Sequence, residues 1–336
     1  MGLKVFRKLQ MGKEVTPGTG VAATAIWRGE GTYEDQRQQE FVAEQVGIAG
    51  GVGRQHLKQL LAMVKMEETP MPFEQFPYLL AAGIKNVVTG VADGVGTDLI
   101  YAYPFPTSAG QTIKTFTLEV GDDEQEEEGE YAFVTDINLK GRGGNDMDLV
   151  SMSGDWLCRQ LATSTFTSTP ALVAVESVPF GKTRFFIDAI GGTMGATEKT
   201  NTLVEFDLKI KTGFRPRFEG DGQYYFSRAF WNGTFECTAE IAMEYNATSK
   251  AQVANWRART PVQIQLLIEG SAVGTPGTDY TYKTCQVDLV GSWEKFSGLE
   301  DVDEGDTVRG TLRTHYHATP ATRGQIVVVN ELASLA

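Results

Sequence analysis

The chain has 336 residues, a net charge of −13, a pI near 4.8 and 41% hydrophobic residues. That length holds one large or two ordinary domains, and the apolar content excludes a disordered chain. The charge repels phosphate backbones and anionic lipid, so a protein that grips nucleic acid is not expected; one past which nucleic acid slides is not excluded.

Cys158, Cys237 and Cys285 are odd in number and form no C-x-x-C pair. Neither a disulfide framework nor a zinc site follows, and buried or indifferent thiols in a reducing compartment are expected. No apolar run approaches the roughly 20 residues needed to span a bilayer. The basic opening MGLKVFRKLQMGKEV lacks an apolar signal core, so secretion is not expected and the N-x-T sites at Asn232 and Asn246 carry no glycosylation meaning.

Taken in order, residues 1–20 read as an extended arm. Gln55–Val64 fits helix or strand, with a strand from about Gln59 preferred. Phe73–Gly83 places Phe76, Leu79, Leu80 and Gly83 at helical spacing, with Pro77 near the start where a missing N–H is tolerated. Strands are expected at 98–105, 112–121, 130–141 and 147–158, with a glycine-rich turn from Gly141 to Asn145. A polar stretch, T-S-T-F-T-S-T-P at 163–170, suggests a boundary.

Beyond it, strands are expected at 172–178 and 184–190. In Leu203–Lys211, Val204, Phe206, Leu208 and Ile210 alternate with Glu205, Asp207, Lys209 and Lys211. Thr234–Tyr245 alternates likewise, and each reads as a half-buried strand. A helix over Ser249–Arg259 follows a cap region at Asn246–Thr248 and points Val253 and Trp256 inward. Strands at 261–269, 280–294, 306–317 and 324–331 complete the chain. Such alternation indicates antiparallel sheets with one wet face.

The order β-α-β-β-β-β occurs twice, and I-A-G-G-V-G at 48–53 echoes I-G-G-T-M-G at 190–195. A tandem duplication is therefore expected, with domains at 21–165 and 166–336 after the arm.

No catalytic, cofactor or metal site is nominated. There is no G-x-x-x-x-G-K-[ST], the glycine clusters lack G-x-G-x-x-G spacing, and Ser153-Gly154 is not a nucleophile elbow. Of the three histidines, His56 is isolated. His315 and His317 share one face of an expected strand with Arg309, Thr311 and Arg313, which oppose a cation. The twelve residues 119–130, E-V-G-D-D-E-Q-E-E-E-G-E, hold eight carboxylates without the calcium-loop pattern. Asp122, Asp123, Glu124, Glu126, Glu127 and Glu128 are read as a solvated loop between paired strands, on an inter-ring or outer surface.

Several stretches together resemble the major tail tube proteins of long-tailed, siphovirus-type bacteriophages. They are P-F-E-Q-F-P-Y-L-L-A-A-G-I at 72–84, K-T-F-T-L-E-V-G-D at 114–122, F-V-T-D-I-N-L-K-G at 133–141 and M-S-G-D-W at 152–156. T-L-V-E-F-D-L-K-I-K-T-G at 202–213, V-D-L-V-G-S-W-E-K-F at 287–296 and T-V-R-G-T-L-R-T-H-Y at 307–316 complete the set.

The resemblance implies a mainly β structure: two tandem antiparallel β-sandwich or barrel domains, each with one short flanking helix. It implies a structural virion protein, not an enzyme, made in the host cytoplasm, without cofactor or membrane. Its subunits would join inner sheets into rings, three tandem chains closing one, and stack into a tail tube. The tape-measure protein and DNA would pass through a lumen expected to be negative, with tail terminator and distal tail proteins at the ends. Residues 1–20 and 213–233 would reach neighbouring subunits. A distal tail ring, tail terminator or capsid decoration protein remains an alternative reading, as does a carbohydrate-binding β-sandwich, although the five tryptophans are scattered.

Overall fold

A computed structural model of the chain describes residues 3–49, 53–109, 111–144, 147–302 and 305–335. Residues 50–52 of the first glycine-rich stretch, Asn145 of the 141–145 turn, and the first two residues of the N-terminal arm lie outside these. In chain order the first half contains β1 (Lys8–Lys13), β2 (Ala25–Ile26), β3 (Gly31–Asp35), β4 (Gln38–Phe41), β5 (Gln55–Gln59) and β6 (Ala62–Pro70). Then come α1 (Phe76–Gly83), β7 (Val91–Ala92), β8 (Leu99–Pro104), β9 (Phe116–Gly121), β10 (Glu126–Arg142), β11 (Ser151–Cys158) and β12 (Ala162–Ser164). The second half contains β13 (Thr183–Ala189), β14 (Leu203–Lys211), β15 (Phe214–Arg217), β16 (Arg228–Trp231) and β17 (Glu236–Glu244). It ends with α2 (Ala247–Ala258), β18 (Val262–Ala272), β19 (Tyr282–Val302), β20 (Gly305–Thr314) and β21 (Gly324–Asn330).

The protein is mainly β, and every pairing between these strands is antiparallel. Alternation explains why β14 forms where expected: Phe206, Leu208 and Ile210 are buried while Glu205, Asp207, Lys209 and Lys211 face outward. Side chains of a pleated strand point to opposite faces in turn, so such a segment needs one dry side.

One pairing order occurs twice. In the first half it is β1-β9-β10-β11-β6-β3. In the second it is β13-β18-β19-β20-β17-β14. The halves also share a sheet, because β10 pairs with β14 from Asp136↔Lys211 to Arg142↔Glu205, and β21 pairs with β8. The strand network curls like a barrel. Its pairings nevertheless trace an open path, β3-β6-β11-β10-β14-β17-β20-β19, with β3 at one end and the C-terminal part of β19 at the other.

Two helices cover the dry side. All eight residues of α1 are buried, and a Cβ on Gly154 would stand 2.7 Å from Leu79 Cδ2, so glycine lets the helix lie directly on β11. In α2, Asn246 caps the N-terminus by accepting the N–H groups of Thr248 (2.8 Å) and Ser249 (3.2 Å). Val253 and Trp256 are only half-buried, and Trp256 lies against Phe296 with ring centroids 5.8 Å apart.

Four expectations need correction. Residues 1–20 are not a detached arm: Lys8–Lys13 pairs with β9, and Leu9, Gln10 and Met11 are buried. Residues 172–178 make only isolated bridges, not a strand. The strand expected through His317 stops at Thr314. Segment 213–233 is not an extended loop but contains a hairpin, β15–β16, beside which Phe214 and Phe226 pack with Tyr131 and Phe133.

Candidate functional site

The open sheet has two chemically different faces, read directly from its registers. On the dry face Leu139 stands beside Leu208 and Met152, and Ile137 beside Ile210 and Gly154. The other face is a grid of charges. Asp136 stands between Asp155 and Lys211, and Lys140 between Ser151 and Asp207. The rows continue through Lys65, Glu236, Lys209, Glu240, Arg309, Arg313 and Lys295.

Ion pairs knit this face together. Lys209 Nζ lies 2.9 Å from Asp207, Arg309 Nη2 lies 2.8 Å from Glu205, and Lys140 Nζ lies 3.0 Å from Glu68. Ser151 and Lys140 hold the Glu68 carboxyl below its ordinary pKa, whereas burial and then Asp136 push Asp155 up. Partly exposed pairs contribute little stability, about 0–1 kcal/mol each. Their effect is to balance the face, which carries both signs, with like charges also opposite each other at Asp136/Asp155 and Asp207/Glu240. The face is therefore mixed in charge and not uniformly acidic.

The nominated acidic residues divide between two environments. Asp122–Gln125 is a tight turn in which Asp122 Oδ1 accepts the N–H groups of Glu124 (3.0 Å) and Gln125 (3.2 Å), lowering its pKa. Glu126, Glu127 and Glu128 are not loop residues but belong to β10, paired with Gly121, Val120 and Glu119 on one side and with β12 on the other. Of the six nominated carboxylates only Asp123 and Glu124 are exposed, the others being half-buried. Burial, then Glu130 and Glu119, raises the pKa of Glu128. Among the described residues no group of His, Cys, Asp and Glu is arranged to hold a metal. The hairpin flanks β3: after burial, Glu127 and Asp122 are what raise the Tyr33 pKa.

Glu119 and Glu14 were not nominated, and both organise the outer strands. Buried Glu119 accepts Gln10 Nε2 (2.9 Å), Ala23 N (3.2 Å) and Thr167 N (2.7 Å). Buried Glu14 accepts Thr115 Oγ1 (2.6 Å), Gly18 N (2.8 Å), Thr117 Oγ1 (3.2 Å) and Tyr131 N (2.7 Å). No sequence signal marks them: Lys13 stands directly before Glu14, yet the Glu14 carboxylate takes backbone and hydroxyl donors instead.

The remaining candidates are structural. His315 Nε2 lies 2.9 Å from Ser292 Oγ, and His317 bridges Thr322. Trp27, Trp156 and Trp293 are buried and Trp231 and Trp256 half-buried, so the tryptophans form no exposed sugar platform.

The fold is that of a mainly β protein whose open sheet has one apolar and one charged face. The family profile described as phage tail tube protein matches residues 7–311, and the chain belongs to that family, whose members are structural components of the virion tail and not enzymes. No curated protein matches the sequence.

Proposed function

We propose that the chain self-assembles into stacked rings that form a hollow phage tail tube through which DNA is delivered. The observation that supports this most directly is the open eight-strand sheet with unlike ends, β3 and β19. Exposed edge strands invite pairing, and a ring of copies removes every edge. The repeated pairing order supports two tandem tube domains, divided near residues 163–170, and hence three chains per pseudo-sixfold ring.

In this reading the charged face lines the bore. Interspersed Lys, Arg, Asp and Glu give it polarity of mixed sign, so DNA and the tape-measure protein pass without being held. Tail terminator and distal tail proteins close the ends, and the chain is made in the host cytoplasm before incorporation into the virion. Negative-stain microscopy with averaged cross-sections is the test. Hollow cylinders of threefold rings are expected; isolated plugs or decorations would replace this function with another virion role, and six chains per ring would remove the tandem-domain reading.

A further inference from the structure

The in-chain junction between the halves is a template for the junction between chains. Gly154 pairs with Ile137 on one side and Met66 on the other, and Gly310 pairs in the same way with Phe296 and Ile241. A register break precedes each at Val134/Asp136 and Trp293/Lys295. The two glycines therefore occupy equivalent places, and the rest of the correspondence follows by counting along the ladders.

Gly31 pairs with Met66 as Phe206 pairs with Ile241, which sets Tyr33 in the place of Leu208 and Asp35 in that of Ile210. Leu299 pairs with Val308 as Leu139 pairs with Met152, each two residues before its glycine, so Leu299 stands in the place of Leu139. Within the chain Leu139 and Leu208 are cross-strand partners, 1% and 0% exposed. Their counterparts Leu299 and Tyr33 are 58% and 40% exposed, at opposite ends of the sheet. Two large apolar side chains are left open at the positions that the template buries against each other.

We propose that β3 of one copy pairs antiparallel with the 295–300 segment of β19 in the next, with Tyr33 opposite Leu299, Thr32 opposite Glu300 and, across the one-residue bulge that β19 carries between Phe296 and Leu299, Gln36 opposite Lys295. The register places Tyr33 and Leu299 on the dry face, and Glu34 and Lys295 as diagonal neighbours on the charged one. The joint is a head-to-tail contact that needs no twofold axis, and it closes into a ring where the rotation per copy divides a full turn. It is less apolar than the in-chain junction, because Asp35 stands opposite Phe296 where Ile210 stands opposite Ile137. Hairpin β4–β5 leaves β3 as β15–β16 leaves β14, so it lies over the neighbour's Ser292–His315 region. Its Phe41 is exposed, whereas beside the matching hairpin of the second half Phe226 is buried on Tyr131 and Phe133.

This interface rests on the reading that the chain forms rings, and the experiment separates the two. Full-length Tyr33→Cys/Leu299→Cys protein is assembled under reducing conditions and then oxidised; the native thiols are buried and do not compete. A covalent ladder ending at the trimer on a non-reducing gel is expected, with none from Thr32→Cys/Leu299→Cys, because a one-residue slip turns the side chain to the other face. Should the double variant not assemble, wild-type tubes of mixed isotope label treated with a carbodiimide report the same register as a Lys295–Glu34 cross-link between unlike copies. Normal tubes with no such cross-link, or with the ladder only from the slipped pair, overturn this interface and leave ring formation standing. A wild-type chain that stays monomeric at every concentration overturns both.

Discussion

Glu14 accepts the backbone N–H of Tyr131 across 2.7 Å, and Tyr131 is a left-handed residue, φ 54°, at the bend of β10. The register with β9 breaks there, between Gly129 and Ala132, and beyond it β10 leaves β9 for β11 and β14. The first strand thus braces the point where one strand passes from the outer sheet to the open one. Glu14→Ala leaves several buried donors unpartnered, each costing about 1–3 kcal/mol. Urea unfolding of the unassembled chain should show a midpoint well below wild type.

Gly121 has φ +146°, and a Cβ there would lie 2.1 Å from Gln125 O. Gly121→Ala cannot keep the tight turn of the acidic hairpin and should cost about 1–3 kcal/mol. Hydrogen exchange at Glu124 and Gln125 should rise, while exchange in β17 and β20 should not.

Neutralising Asp122, Asp123, Glu124, Glu126, Glu127 and Glu128 to their amides tests the surface beside β3. Removing charges packed this closely should flatten the dependence of tube assembly on ionic strength. Assembly that keeps the wild-type salt response would reduce the run to a solubility feature.

Arg159 is held in the hairpin β15–β16 from two directions. Its Nε and Nη2 donate to Phe226 O (3.1 Å) and Ser227 O (3.0 Å), and its guanidinium lies 4.6 Å from the Tyr131 ring centroid and 4.8 Å from that of Tyr225. Arg159→Ala should free the hairpin from the first half. Faster hydrogen exchange confined to residues 218–228, with the global transition nearly unchanged, is the expected readout.

Asp98 is buried beside Asp93, and burial followed by Asp93 raises its pKa. Burial opposes the Asp93 charge, but the N–H groups of Tyr280 and Asp279 outweigh it and keep the Asp93 pKa low. The folded state therefore holds the Asp98 proton more tightly than the unfolded chain does. Its contribution to stability is full below the ordinary aspartate range and is lost as pH rises through the raised value. Asp98→Asn should stabilise the protein at neutral pH and lose that advantage at low pH, as seen in unfolding midpoints taken between the two.

Much of this architecture was legible because period-2 alternation leaves few choices. Leu203–Lys211 is β14 from end to end, and Asn246 caps α2 as its side chain requires. What alternation could not reveal were segments whose polar residues are satisfied internally. K-L-Q-M-G-K reads as an exposed arm, yet Gln10 is buried because Glu119 awaits it 109 residues later. Glu126–Glu128 read as loop because carboxylates disfavour strands; pairing from both β9 and β12 overrides that preference. The charge balance of the open face was equally hidden, since it emerges only when strands far apart in sequence are set side by side.

Cys158, Cys237 and Cys285 are all buried, and burial pushes their thiols well away from ionisation, that of Cys237 to about 12. Only a thiolate attacks a disulfide or an oxidant readily. In the proposed role, a tail component made in a reducing cell then waits in air-saturated surroundings for an encounter that has no schedule. Sulfurs shut inside three separate strands keep these thiols from cross-linking one subunit to another during that wait.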